Sequence, residues 1–191
     1  MKISILSTSP RKASNSLKVA RYISSQLPQD GHEISVFNFE DIDIPMIGRA
    51  SLDISHLTLF QKNLIAVWEP AELVIFVVPE YNWTTSGELI NAMHQLGEKE
   101  YASLFDNKVF AFVGVSSGRG GRRPCIEVGL LVNKLISFLN VHSVVSPKLF
   151  ESHETARNLD EGGYSKGNAI YEKGIADFLK YTLEIAKKWH S

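Results

Sequence analysis

Five apolar runs of strand length, Lys2–Leu6, Glu33–Phe37, Leu73–Val78, Val109–Val115 and Ser143–Ser146, are separated by stretches whose apolar residues recur at helical spacing. A chain that alternates in this way folds as parallel strands joined by crossover helices. After the first run Leu17, Ala20, Ile23 and Leu27 share one helical face, and after the second Leu57, Phe60, Leu64 and Val67 do the same. A third helix is predicted from about Ser86 with Leu89, Met93 and Leu96 inward, and a fourth after Pro124. A last one carries Tyr171, Ile175, Phe178, Thr182, Ile185 and Trp189. The expectation is five strands and five helices.

Right-handed crossovers, with the most apolar strands at the centre, favour a doubly wound α/β sheet of flavodoxin-like order 2-1-3-4-5. In that order the carboxyl ends of strands one and three flank the topological switch point, where ligands bind. Two longer connections, Asn38 to Leu52 and Pro147 to Gly163, read as loops of a length that shapes a site. No Pro-, Gly- or Ser-rich stretch divides the 191 residues, so one domain over residues 1–191 is expected. A formal net charge of −1 gives no electrostatic reason for a nucleic-acid partner or an anionic membrane. No apolar run approaches the length of a membrane span, and the opening Met1-Lys2-Ile3 carries no signal-peptide pattern, so a cytoplasmic location is expected. One cysteine excludes an internal disulfide, and the six histidines show no ligand spacing, so no metal site is expected.

The chemistry gathers in the turns that follow strands one, three and four. Ser7-Thr8-Ser9-Pro10-Arg11-Lys12-Ala13-Ser14-Asn15-Ser16 feeds a helix that starts near Ser14. Backbone N–H groups, the hydroxyls of Ser9, Ser14 and Ser16, and the Arg11 guanidinium converge there on a pocket suited to a phosphate dianion. A helix cap alone accounts for Ser14 and Asn15 but not for Arg11. There is no G-x-G-x-x-G after strand one and no G-x-x-x-x-G-K-[ST] anywhere, which disfavours dinucleotide and P-loop sites. After strand three, Pro79-Glu80-Tyr81-Asn82-Trp83 forms a polar, aromatic loop that can line a flat ring; the alternative is a turn capped by Thr85 or Ser86 with Trp83 in the core. After strand four, Ser116-Ser117-Gly118-Arg119-Gly120-Gly121-Arg122-Arg123 brings glycines that admit close backbone approach, and arginines suited to a phosphate.

On these motifs the chain resembles the NADPH-dependent FMN reductase family, flavodoxin-like proteins that include quinone, azo-dye and chromate reductases. The family's phosphate loop reads G-S-x-R-x-x-S-N, matched by Ser9, Arg11, Ser14 and Asn15 with Thr8 in place of the glycine. Its second motif reads P-E-Y-N followed by P-G-x-L-K-N-A-I-D, matched by Pro79, Glu80, Tyr81, Asn82, Gly87, Leu89, Asn91 and Ala92. Ala13, Ser86, Ile90 and His94 depart from the pattern; Ala13 strains the loop if its position is left-handed. The resemblance implies an FMN-dependent NAD(P)H oxidoreductase that passes hydride from NADPH or NADH through flavin N5 to FMN, a quinone or a similar small electron acceptor. Cofactor contacts are then expected from Ser9, Arg11, Ser14, Asn15, Ser16, Pro79, Glu80, Tyr81, Asn82, Ser116, Gly118 and Gly120, with no side chain assigned a catalytic proton transfer.

The competing readings are a flavodoxin-type electron carrier and a degenerate fold member that has lost flavin. Balanced charge and an arginine-rich loop argue against the carrier. A homodimer or homotetramer is expected, because Val128, Leu131, Val132, Leu135, Ile136, Phe138 and Leu139 exceed one sheet-facing stripe. Cys125 falls in the first turn of the fourth helix beside Arg122 and Arg123, a setting that can lower a thiol pKa, but a free cysteine is more commonly a small buried hydrophobe. With no second cysteine to resolve it, it is expected to be dispensable.

Overall fold

The computed structural model describes residues 1–191. It contains one five-stranded sheet in the order β2-β1-β3-β4-β5, and every pairing is parallel. The strands are β1 (Lys2–Ser7), β2 (Glu33–Asn38), β3 (Leu73–Pro79), β4 (Val109–Val115) and β5 (Val144–Ser152). Helices α1 (Asn15–Gln26), α2 (Leu59–Trp68), α3 (Gly87–Leu96), α4 (Arg122–Leu139), the single turn α5 (Thr155–Asn158) and α6 (Ala169–Trp189) lie between and after them. No helix is long and apolar enough to cross a membrane.

The two faces of the sheet follow from the alternation of side chains along its strands. Ile3 and Ile5 of β1, Leu73, Ile75 and Val77 of β3, and Val109, Ala111 and Val113 of β4 pack against α1 and α6. Leu6, Val74, Phe76, Val78, Phe110 and Phe112 point the other way, onto α2, α3 and α4, where Trp68 meets Phe76 and Phe105 edge-on. Strands β3 and β4 are buried along their whole length, as central strands covered on both faces must be.

Two differences from the expected layout concern the connections. The fifth strand continues through Pro147 to Ser152, and α5 follows it, so much of the segment predicted as a loop is ordered by pairing with β4. Its proline tolerates this because β5 is an edge strand. The connection after β2 has no regular element before α2, yet the amides of α3 fix its shape. Asn91 accepts from Ile47 N at 2.8 Å and donates to Pro45 O at 2.9 Å, while Gln95 donates to Pro45 O and Ala50 O at 2.9 and 2.7 Å. Asn91, part of the second motif, therefore serves the backbone of this connection.

At the amino edge of the sheet, Lys108 is buried and donates from Nζ to the carbonyls of Glu69 and Ala71 at 2.7 and 2.9 Å, tying the end of α2 to the start of β4. Burial drives its ammonium down to about 8, opposed only in part by Glu69 and Asp106. In an unfolded chain lysine releases its proton near ~10.4. Between those values the unfolded chain holds the extra proton, so folding stability rises with pH across that window and is lost again as pH falls through about 8. Denaturant titrations on either side of this window should show wild type gaining stability relative to Lys108→Met as pH rises; parallel behaviour of the two proteins would refute the buried charge.

Candidate functional site

The register of the sheet sets the site. Ser7 is level with Val77 across β1 and β3, Pro79 with Val115 across β3 and β4, and Val115 with Ser152 across β4 and β5. The chemistry-bearing loops therefore leave one edge side by side. A cleft of about 240 Å³ opens there, walled by Ser9 and Arg11 to Ser16 from the first loop, Pro79, Glu80 and Tyr81 from the second, and Val115 and Ser117 from the third.

The first loop is built around the start of α1. Ser14 has extended backbone and its Oγ accepts from Leu17 N at 3.1 Å, the geometry of an N-cap. Asn15 and Ser16 carry the first two N–H groups of the helix, which no intrahelical carbonyl can satisfy. Thr8 is fully buried, and both its N–H and its hydroxyl donate to Val77 O at 3.1 Å, pinning the loop to β3. Ser9 Oγ accepts from Arg11 N at 3.3 Å and lies 3.1 Å from Tyr81 Oη. The Arg11 guanidinium sits over the Tyr81 ring, 4.4 Å from its centroid, within cation–π range. The two motifs thus touch directly. Ala13 has φ of +47°, so its position is the left-handed one.

The second loop is a tight turn. Tyr81 N donates to Thr84 O at 2.8 Å and Thr84 N to Tyr81 O at 3.2 Å, with Asn82 and Trp83 both at positive φ between them. Two left-handed central residues are the signature of a type I′ turn. Thr84 Oγ1 donates to Glu127 of α4 at 2.6 Å, and Ser86 caps α3 by accepting from Leu89 N at 3.2 Å. Trp83 is 71% exposed, which overturns the alternative that packs it in the core. The turn carries Asn82 away from the cleft wall and leaves Tyr81 on it.

The third loop is held from both sides. Ser116 N donates to Ser152 O, and Ser116 Oγ accepts from Gly118 N. Gly118 O accepts from Glu154 N at 2.8 Å, Gly120 N donates to His153 Nδ1 at 3.0 Å, and Gly121 N donates to the Glu80 carboxylate. Gly121 folds back over β4 so closely that a Cβ on Gly114 would strike its backbone. Of this loop, Ser117 stands on the cleft wall, whereas Ser116, Gly118 and Gly120 lie behind it with their N–H groups engaged. A neighbouring cleft of about 240 Å³ gathers Arg119, Arg122 and Arg123 with Trp83. Arg122 pairs there with Glu151 at 3.0 Å, and Arg123 lies 6.0 Å from the Trp83 ring centroid.

Cys125 takes the buried-hydrophobe reading over the reactive-thiol one. Its side chain is fully buried in the core beneath α4, and that burial pushes the thiol pKa up, with Arg122 opposing too weakly to reverse it. The helix N-terminus and arginines that suggested a lowered pKa lie outside the apolar pocket that holds the sulfur. Lys12, Ser117 and His153 are the site's residues that sequence reasoning passed over. Lys12 and Ser117 stand inside recognised motifs, and His153 follows a strand whose length the sequence understated.

The profile of the family described as NADPH-dependent FMN reductase matches residues 1–151. A protein of Oryza sativa subsp. japonica named "Probable NADPH:quinone oxidoreductase 2" is 29% identical over 94 residues, which span 49% of this chain and 43% of that relative. Among solved structures, FerB, a flavoenzyme NAD(P)H:(acceptor) oxidoreductase from Paracoccus denitrificans, superposes with a TM-score of 0.73 at 18% identity, covering 98% of this chain and 97% of its own. The apo form of an NADH:FMN oxidoreductase, EMOB, superposes at 0.65 with 16% identity over 96% of this chain and 89% of its own. At such identities these structural likenesses speak for the fold.

The left-handed Ala13 yields a direct test on the protein without ligand. A non-glycine residue in that region costs about 1 kcal/mol or more, and Ala13 is exposed. Ala13→Gly should therefore stabilise the protein by about 1 kcal/mol in equilibrium denaturation. A loss of stability would show that the loop prefers another conformation at this residue.

Proposed function

The chain belongs to the NADPH-dependent FMN reductase family, and on that premise we propose that it holds FMN in the cleft at the carboxyl ends of β1 and β3. With NADPH or NADH as hydride donor it would then reduce FMN, a quinone or a similar small electron acceptor. The observation that carries this reading is the convergence on one cleft of a helix N-terminus, the hydroxyls of Ser9, Ser14 and Ser16, and Arg11, with Tyr81 on the facing wall. A phosphate dianion requires such donors and no competing acid. The cleft fits the requirement, because its one carboxylate, Glu80, already accepts the Gly121 N–H.

In this reading Ser9, Arg11, Ser14, Asn15 and Ser16 hold the phosphate. Pro79, Glu80 and Tyr81 hold the ribityl chain and ring from the second loop, with Asn82 shaping their turn from off the wall, and Ser116, Gly118 and Gly120 back the wall from the third. Of the third loop Ser117 stands on the wall, while Ser116 and the two glycines act through the shape of the loop. When bound, FMN supplies hydride transfer through N5, and no side chain is given a proton-transfer role. Arg119 and Arg123 are placed to attract the extra phosphate of NADPH, with Arg122 partly neutralised by Glu151.

The same reading includes a homodimer or homotetramer. Of the α4 residues that suggested a second apolar face, Val128, Val132 and Leu135 lie in the core and Leu131, Ile136 and Leu139 pack against it, which leaves Phe138; with Ile126 and Leu130 it forms an exposed apolar stripe at multiples of four residues. Light scattering at micromolar concentration should give at least twice the chain mass, and a monomer would contradict this part.

Titration with FMN and FAD tests the cofactor. FMN should bind more tightly and lose its fluorescence, and Arg11→Ala should weaken it by about 1.5 to 3 kcal/mol. NADPH added anaerobically to the FMN-loaded protein should bleach the flavin, and a quinone should restore its colour. Tighter binding of FAD would overturn the phosphate assignment, and a flavin that NADPH leaves oxidised would point to the electron carrier.

A further inference from the structure

We propose that His153 is a positioning residue of the cofactor cleft: its neutral imidazole holds the Gly120 N–H at Nδ1 and so fixes the loop that carries Ser117, and a proton gained at Nδ1 releases that loop. The inference rests on the cofactor reading of the cleft for its functional consequence. Its structural part stands on the hydrogen bond itself. His153 lies two residues beyond the segment matched by the family profile, just past the end of β5.

Gly120 N donates to His153 Nδ1 at 3.0 Å, which requires Nδ1 to carry a lone pair and places the ring hydrogen on Nε2. Nε2 faces Glu151 Oε2 at 3.6 Å. The backbone of His153 is itself held, since its carbonyl accepts from Asn158 Nδ2 at 2.9 Å. The acceptor is thus presented from β5 and α5 rather than from a free side chain. On the far side of the loop, Glu80 takes the next N–H, that of Gly121, and a Cβ on Gly120 would run into the same carboxylate. The loop is clasped between the Glu80 carboxylate and the His153 imidazole.

The charges around His153 come from every element packed on it. Glu151 on β5 faces the ring with one oxygen, and its other oxygen is engaged by Arg122 of α4 at 3.0 Å. Glu154, just before α5, and Arg157 on α5 pair with each other at 2.6 Å. Arg119, from the loop itself, lines the same outer cleft as His153 and opposes a second positive charge. Protonation at Nδ1 would set an N–H against the Gly120 N–H and remove its acceptor. The bond from Glu154 N to Gly118 O does not involve the ring and would remain. Release is therefore expected to be local to Gly120 and its neighbours.

The test compares wild type, His153→Asn, which keeps an acceptor near the Nδ1 position but does not titrate, and His153→Leu, which has no acceptor. Amide exchange and chemical shift of Gly120 are read by NMR in the protein without flavin between about pH 5 and about pH 8, the range in which imidazoles change charge. Riboflavin affinity is measured over the same range. Riboflavin is used because the FMN phosphate has its own ionisation near pH 6. The expected result is Gly120 protection lost on acidification in wild type, kept throughout in His153→Asn and absent throughout in His153→Leu. Riboflavin affinity should fall about threefold to tenfold in wild type, as expected for one lost hydrogen bond, and should stay level in His153→Asn. Wild-type Gly120 protection that does not change with pH, or a His153→Asn protein that keeps the acid loss of affinity, would overturn the proposal. If His153→Leu fails to fold, His153→Asn against wild type still decides it. A protein that binds no flavin while Gly120 still follows His153 would remove the cofactor reading and, with it, the functional half of the proposal; the hydrogen-bond latch would stand.

Discussion

The pairing of β1 with β3, Ser7 level with Val77, is the constraint on which the candidate site depends. In the chain the two loops that follow these strands lie about seventy residues apart, and only side-by-side parallel pairing brings Ser9 to within 3.1 Å of Tyr81. Their crossovers then leave on opposite faces, α1 toward the layer shared with α6 and α3 toward the layer shared with α2 and α4. A crevice must open where the chain divides in this way. Thr8 closes its floor, because its hydroxyl and N–H both reach the carbonyl of Val77 and leave no gap between the strands.

Each wall of the crevice is set by a different device, and the three differ in what they leave available to a ligand. The first wall is a capped helix end, which uses one hydroxyl on itself and directs the remaining N–H groups outward. The second is a type I′ turn whose main chain is satisfied internally, so the side chain of Tyr81 is its main offering. The third is a glycine-rich loop whose N–H groups are consumed by Ser116, His153 and Glu80. Positive charge and donors therefore concentrate on the first wall, with Arg11 bridging to the second through the Tyr81 ring. A phosphate on the first wall and a flat, weakly polar group toward the other two is the arrangement these walls suit best.

Much of this was legible in the sequence, for reasons that differ by element. Strand order followed from the apolar runs and the handedness of crossovers, since β3 and β4 are buried on both faces and read as unbroken runs. The Ser14 cap and the start of α1 followed from local chemistry that acts within three residues. Edge strand β5 was harder, because its half-buried residues from Lys148 to Glu151 lack a clear period and its pairing partner is remote. The left-handed Ala13 and the type I′ turn at Asn82 and Trp83 carry no glycine to announce them. At Cys125 the sequence shows the charges of Arg122 and Arg123 but not the depth of the sulfur beneath α4, and that depth decides for a small buried hydrophobe over a reactive thiol. His153 was invisible as a loop anchor: its partner Gly120 lies 33 residues away and the bond depends on where β5 ends.

Strain follows the same geography. Six non-glycine residues have positive φ, and four of them, Ala13, Asn82, Trp83 and Glu154, lie in the loops at the carboxyl edge. Each costs on the order of 1 kcal/mol relative to an ordinary backbone, so the edge that gathers the donors is also where the fold tolerates unfavourable conformations. The sheet makes this possible, because β1, β3 and β4 are fixed by pairing on both sides and by two aromatic and aliphatic layers, and the loops inherit their end points. With the end points fixed, a loop cannot relieve one left-handed residue without displacing a hydrogen bond elsewhere: Ala13 donates to Glu40, Tyr81 and Thr84 hold each other, and Glu154 holds Gly118. The strain at the carboxyl edge is therefore retained by the network that shapes the cleft, and a ligand entering it would meet walls already set in place.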